Sequence, residues 1–233
     1  MIKAYIDNLA WMRAAIGNGE YLTLPTDFDT AQALFKRLDL ADRKHDLEIL
    51  EYESDIPGLA KCLDPYDNLD ELNYLASLLS AMDAESRVKF AAAVEHGEYT
   101  GSVEDLINLA QNLDCYTLDP DIRGAEALGY ARTEGRIKLP DDCRFYFDYA
   151  SYGTDTSINE GGEFTEAGYI YNNRSPFTRH YDGKNVPDEY RIFSRPEPEK
   201  ASIRETLDRY KRMIAEAPAP ARDKSTPAAH DDR

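Results

Sequence analysis

The chain has 233 residues, 42% hydrophobic and 11% aromatic, which is enough apolar material for a folded core and too much for wholesale disorder. Forty-four acidic against 27 basic residues leave a net charge of −17, which argues against nucleic acid and anionic membrane as direct ligands, since both are polyanions. Cys62, Cys115 and Cys143 are widely spaced, with no CxxC and no Cys/His cluster, so neither a disulfide framework nor zinc is expected.

Near the start, Ile2, Ala4 and Ile6 alternate with Lys3, Tyr5 and Asp7, the period of a strand. The opening MIKAYIDNLAW has a charge inside a short apolar stretch and no cleavage site, so it does not read as a signal peptide. No apolar run approaches the roughly 20 residues of a membrane span, and a reducing cytoplasm is the expected location. Glu20 to Leu24 reads as a second strand ended by Pro25. Thr26 with Asp29 predicts a helix start, with Ala31, Leu34, Phe35 and Leu38 on one face. Asp46 to Tyr52 reads as a third strand. Residues 1–60 are therefore predicted to be a small α+β unit.

Residues 61–112 should be mainly helical. Leu69, Leu72, Leu75, Ala76, Leu79 and Met82 form one apolar stripe, with Asp70, Glu71, Asn73 and Ser77 off it. Asp83 is expected to cap a second helix that turns Val88, Ala91 and Val94 inward and stops at Gly97. Ser102 with Asp105 opens a third, with Val103, Leu106, Ile107, Ala110 and Leu113 inward.

Residues 113–172 read as a second α+β unit. Cys115 to Leu118 is a short strand, and Gly124 to Glu134 a helix with Ala127, Leu128 and Ala131 inward. Phe145, Phe147 and Tyr149 alternate with Tyr146, Asp148 and Ala150, which predicts a strand, and Phe164 to Tyr171 predicts another. Gly153, Gly161 and Gly162 bound a loop between them, and the aromatics of this unit are expected in its core. Residues 173–233 form an extension, with an amphipathic helix over Ser202 to Ala217 and then a disordered Ala/Pro-rich tail. The fold class is thus α+β, three small domains and an extension.

Charge is the strongest functional signal. From Asp64 to Glu126 there are 14 acidic and 3 basic residues, and residues 1–172 as a whole carry 33 acidic and 14 basic. Residues 173–233 carry 11 and 13, so the acidity is not a tail effect. The carboxylates are Asp64, Asp67, Asp70, Glu71, Asp83, Glu85, Glu95, Glu98, Glu104, Asp105, Asp114, Asp119, Asp121 and Glu126, joined further on by Asp141 and Asp142. They are interleaved with apolar residues at helical spacing, so they decorate a folded surface. Some belong in first helical turns for the helix dipole alone, as Asp70, Glu71, Glu104 and Asp105 do. That does not explain the scarcity of basic residues elsewhere in the segment.

There is no GxxxxGK[ST], GxGxxG, HExxH or GxSxG, and His45, His96, His180 and His230 have no ligand spacing. No catalytic residue, metal or cofactor is assigned, and the chain is expected not to be an enzyme. A folded surface of spaced carboxylates can instead offer a DNA-binding enzyme a field like that of B-DNA, which carries one charge per about 1.7 Å of axis.

The wording of the chain from Ile2 to Tyr171 resembles the ArdA-type antirestriction proteins. The resemblance rests on Ala4-Tyr-Ile-Asp-Asn-Leu9, Gly19-Glu-Tyr-Leu-Thr-Leu-Pro25, Asn68-Leu-Asp-Glu-Leu-Asn-Tyr-Leu75, Asp148-Tyr-Ala-Ser-Tyr-Gly153 and Phe164-Thr-Glu-Ala-Gly-Tyr-Ile170, in that order. It implies an elongated protein of three small domains, usually a homodimer, whose acidic surface imitates bent B-form DNA. It further implies binding to the methyltransferase core of type I restriction-modification enzymes, with no cofactor. Two features depart from the family's pattern: the extension after residue 172, and Arg13, Lys36, Arg37, Arg43 and Lys44 in the first unit. The rival expectations are an acidic inhibitor of another DNA-binding defence enzyme, such as a CRISPR effector, or of a nucleoid protein; an enzyme built on a carboxylate pair; and an acidic scaffold.

Overall fold

The computed structural model describes residues 1–134 and 136–194. They belong to one unit, Met1–Arg195, distinct from Pro196–Arg233. The helix expected over residues 202–217 and the tail after it lie outside the described residues.

Strand β1 (Ile2–Asn8) sits between β2 (Glu20–Leu24) and β3 (Leu47–Ser54), antiparallel to both. Its alternation works as expected: Ile2, Ala4 and Ile6 are buried, opposite Leu24, Leu22 and Ile49. A short α1 (Leu9–Arg13), absent from the sequence reading, follows β1, capped by the Asn8 side chain. Helix α2 (Phe28–Arg37) covers the sheet through Ala31, Leu34 and Phe35. It starts at Asp27 rather than Thr26: the Asp27 carboxylate accepts the Thr30 N–H at 2.8 Å.

Three helices follow. α3 (Leu69–Ala81) is capped by Asn68, α4 (Ala84–His96) by Asp83 and α5 (Val103–Ala110) by Ser102. Each cap oxygen accepts a backbone N–H from the first turn, as these residue types favour. Gly97 ends α4 with φ of 85°, the left-handed geometry glycine adopts without strain. In α4 the buried side chains are Phe90, Ala92, Ala93 and Val94, whereas Val88, expected inward, is 49% exposed.

The second sheet has β6 (Gly168–Asn172) between β4 (Tyr116–Asp119) and β5 (Glu163–Thr165). The single strand expected over Phe164–Tyr171 is thus a hairpin. The strand expected around Phe145–Tyr149 does not form. A short α7 (Asp141–Arg144) leads to α8 (Tyr149–Glu160), capped by Asp148, and Phe145 and Tyr146 are 89% and 85% exposed. The local alternation lost to a close helix crossing. α8 packs on α6 (Ala125–Thr133) with glycine on each side: a Cβ on Gly153 would lie 1.7 Å from the Ala125 carbonyl, and one on Gly129 1.9 Å from that of Tyr149. Gly153 is therefore inside a helix rather than bounding a loop. Only Leu128 of the expected inward residues of α6 is buried, while Ala127 and Ala131 are exposed.

Residues 173–194, which follow β6, do not leave the fold. Residues 173–194 cross the face of α3 and α5 with a single short turn of 3-10 helix, Asp188–Tyr190, and bury Tyr181, Val186 and Ile192. Tyr190 stacks on Tyr74 at 4.7 Å, and Phe193 meets Phe35 edge-on at 6.0 Å. One cluster of buried apolar side chains runs from Ile2 to Ile192, with a smaller one at Ile122, Leu128 and Tyr169. A division into three small domains at residues 60 and 112 is not confirmed.

Candidate functional surface

Polar side chains, not only apolar ones, hold the crossing segment. Asn112 donates to the Thr178 carbonyl at 2.8 Å and accepts the Thr178 N–H at 2.8 Å. Asn108 donates to Tyr181 O at 3.0 Å and accepts the N–H groups of His180 and Tyr181. Asn73 donates to Tyr190 O at 2.9 Å and Thr26 O at 3.1 Å. Asp70 accepts four bonds: the N–H groups of Ile192 and Phe193 at 2.6 Å each, that of Ser194 at 3.3 Å, and the Ser194 hydroxyl at 2.7 Å. A segment without a regular ladder must satisfy its backbone somewhere, and these four side chains do it.

This corrects the placement of Asp70 and Asn73, which were expected off the apolar stripe of α3. Both are buried, Asp70 only 4% exposed. Two more carboxylates face the same segment. Glu71 accepts the Tyr181 hydroxyl at 2.7 Å, and Glu104 pairs with Arg179. Burial raises the pKa of Glu71, and the charges of Asp67, Glu104 and Asp70 push it the same way. Asp67, half-buried, is also raised, by burial and by Asp64.

The remaining members of the acidic set fall into two groups. Several have structural work. Asp83 accepts the Ser86 N–H at 2.7 Å, which lowers its pKa. Glu98 accepts from the Tyr116 hydroxyl at 3.0 Å and Asn172 at 2.8 Å. Asp119 pairs at 3.1 Å with Arg132, which also binds Glu160 at 3.0 Å. Asp141 is 3.4 Å from Arg144, an exposed pair of small energetic weight. Asp64 accepts the Tyr66 N–H and Asp67 the Asp64 N–H, closing a turn before α3.

Glu85, Glu95, Asp114, Asp121, Glu126 and Asp142 are exposed and their carboxylates make no hydrogen bond or ion pair among the described residues; Asp105, half-buried, is likewise unpaired. They sit at starts and ends of helices and in turns: the first and last turns of α4, the first turn of α5, the turns on either side of β4, and the first turns of α6 and α7. In first helical turns the helix dipole favours a carboxylate, whereas Glu95, in the last turn of α4, sits against it. Meanwhile the cations of Lys3, Arg37, Arg43, Arg87, Arg132, Arg144, Arg179 and Arg191 are each engaged by a carboxylate. Three of the five basic residues noted in the first unit are tied in this way or to a carbonyl: Arg37 to Glu20, Arg43 to Asp39, and Lys44 to Phe193 O.

Sequence reasoning missed the crossing segment. A signal was present: Phe177, Tyr181, Val186, Tyr190 and Ile192 recur every two to five residues, too regular for a linker. Among the described residues no group of three or more His, Cys, Asp or Glu is arranged to hold a metal, and no helix is long and apolar enough to cross a membrane.

Residues 4–171 match the family model described as antirestriction protein (ArdA), close to the span over which the motifs were recognised. No curated protein matches the chain. The matched span is well over half of the 233 residues, and the chain belongs to the ArdA family of antirestriction proteins.

Proposed function

We propose that this protein inhibits type I restriction-modification enzymes by occupying their DNA-binding cleft as a DNA mimic. Family membership supports antirestriction as the role. The observation that carries mimicry is the set of exposed, unpaired carboxylates from Glu85 to Asp142, spread over several elements of the fold. A cleft lined with Lys and Arg for phosphates meets them as it would meet a duplex. Complementarity of this kind sets on-rate and specificity and weakens with salt. It requires no chemistry, so the protein acts as a stoichiometric inhibitor without catalytic residue or cofactor.

The burial of Asp70, and the engagement of Glu71 and Glu104 by the crossing segment, narrow the mimicking set. Asp70 and Glu104 hold the crossing segment, Glu71 is half-buried against Tyr181, and the exposed group meets the target. The protein would work in the cytoplasm as a homodimer, with the exposed Phe145, Tyr146 and Tyr130 as the self-contact, since large exposed aromatic surface marks interaction sites.

The experiment is the plating of unmodified phage on cells carrying a type I system, with and without the protein. Plating that rises toward that of a restriction-deficient host supports the reading. Unchanged plating with folded, expressed protein overturns it, and other DNA-binding defence enzymes then become the candidates.

A further inference from the structure

The exposed position of Val88 has a structural context. α4, the loop after β3 and the β5–β6 turn enclose an open cavity of about 450 Å³. Its floor is apolar, formed by Ile56, Pro57, Val88, Ala91, Ala92 and Ala167. Its rim carries Asp55, Glu95, Glu166 and Arg87; Asp55 is neutralised by Arg87, at 3.0 Å, and by the Met1 ammonium, Arg87 also donates to the Leu79 carbonyl at 3.0 Å, and Arg123 donates to the Glu166 carbonyl. Glu95 and Glu166 are exposed and make no side-chain ion pair.

A duplex offers apolar side chains only thymine methyls and opened base steps, not a pocket beside its phosphates. Phosphates supply charge, but a surface that only imitates them loses its hold as salt rises. An apolar floor beside two unpaired carboxylates, Glu95 and Glu166, fits one kind of occupant: an apolar side chain carried on a basic surface, flanked by Lys or Arg. We propose that this groove is an apolar anchor that receives such a side chain from the basic DNA-binding face of the target enzyme. The inference rests on the mimicry reading and adds to it an apolar contact beside the phosphate-like charges. The rim charges orient the incoming segment, and burial of Val88 and Ala91 supplies a hold that screening does not weaken.

The test measures binding of the full chain to a purified type I methyltransferase across a salt series. Val88→Ser leaves charge unchanged and alters a half-exposed position, so the fold persists. Ala91→Phe fills the groove, and its fold is checked by circular dichroism. Truncating a central apolar contact should weaken binding roughly five- to tenfold. The expected result is that both variants lose this factor at every salt concentration, with the salt slope unchanged. A Glu85→Lys/Asp121→Lys variant should change the slope instead. Wild-type affinity in both groove variants overturns the anchor while leaving mimicry intact. No binding by the wild-type chain overturns the mimicry reading itself. A shift of Val88→Ser toward monomer in the absence of enzyme assigns the groove to a second copy of the chain and also overturns the anchor.

Discussion

Asp70→Ala separates a structural carboxylate from a mimicking one. The Asp70 carboxylate accepts three short bonds, from Ile192 N, Phe193 N and Ser194 Oγ, and a longer one from Ser194 N. Removing it leaves donors with no acceptor, and each buried orphan costs about 1–3 kcal/mol. The Ile192 N–H is fully enclosed, whereas water can reach the others in part. The loss should therefore be about 3–5 kcal/mol, a large share of the roughly 5–15 kcal/mol that holds a typical domain together. In urea, with a slope of about 2–3 kcal/mol per molar, the midpoint should fall by about 1.5 M. Asp70→Asn should lose less, since its amide keeps one accepting oxygen but turns a donor toward donors. Far-UV circular dichroism across a urea series measures both. Unchanged stability in Asp70→Ala, together with weakened inhibition, would refute the reasoning and return Asp70 to the mimicking surface.

Glu71→Gln keeps an acceptor for the Tyr181 hydroxyl but removes a carboxyl whose pKa is raised in the fold. A raised folded pKa means that its stability is complete below the ordinary Glu range and is lost as pH rises through the folded value. The variant should therefore melt above wild type at pH 7, with the gap closing toward pH 4; a gap that widens on acidification contradicts this. Gly153→Ala should cost about 2–4 kcal/mol by overpacking the α6–α8 crossing, while Gly124→Ala, with nothing within 4 Å of the new Cβ but at the N-cap of α6, should cost at most about 1 kcal/mol in the same urea series. Phe145→Ser should shift sedimentation toward monomer without lowering the melting temperature; an unchanged dimer places the self-contact elsewhere.

Local signals were legible where a residue's neighbours in sequence are its neighbours in space. The alternation of Ile2, Ala4 and Ile6, the caps at Asp83 and Ser102, and the stop at Gly97 are of this kind. The Phe145–Tyr149 alternation misled because the deciding contact, Gly153 against the Ala125 carbonyl, joins positions 28 apart in sequence. The polar residues of α3 misled for a similar reason. Asp70 lies off the apolar stripe, and only the return of residues 192–194, more than 120 positions later, buries it. Net acidity was readable from composition, but the sorting of its carboxylates was not. Glu85 and Glu104 look alike in the sequence; the difference is that Arg179 comes back to one of them.

The central claim is that exposed carboxylates stand in for DNA phosphates. Its most direct test is competition: a fluorescent duplex bound to a type I methyltransferase is titrated with wild-type protein and with a variant carrying Lys at Glu85, Glu95, Asp114, Asp121 and Glu126. Wild type should displace the duplex, less effectively as salt rises, and the variant should fail while melting within a few degrees of wild type. Displacement by the five-fold variant as effective as that by wild type, or inhibition of restriction with the duplex still bound, would contradict the account.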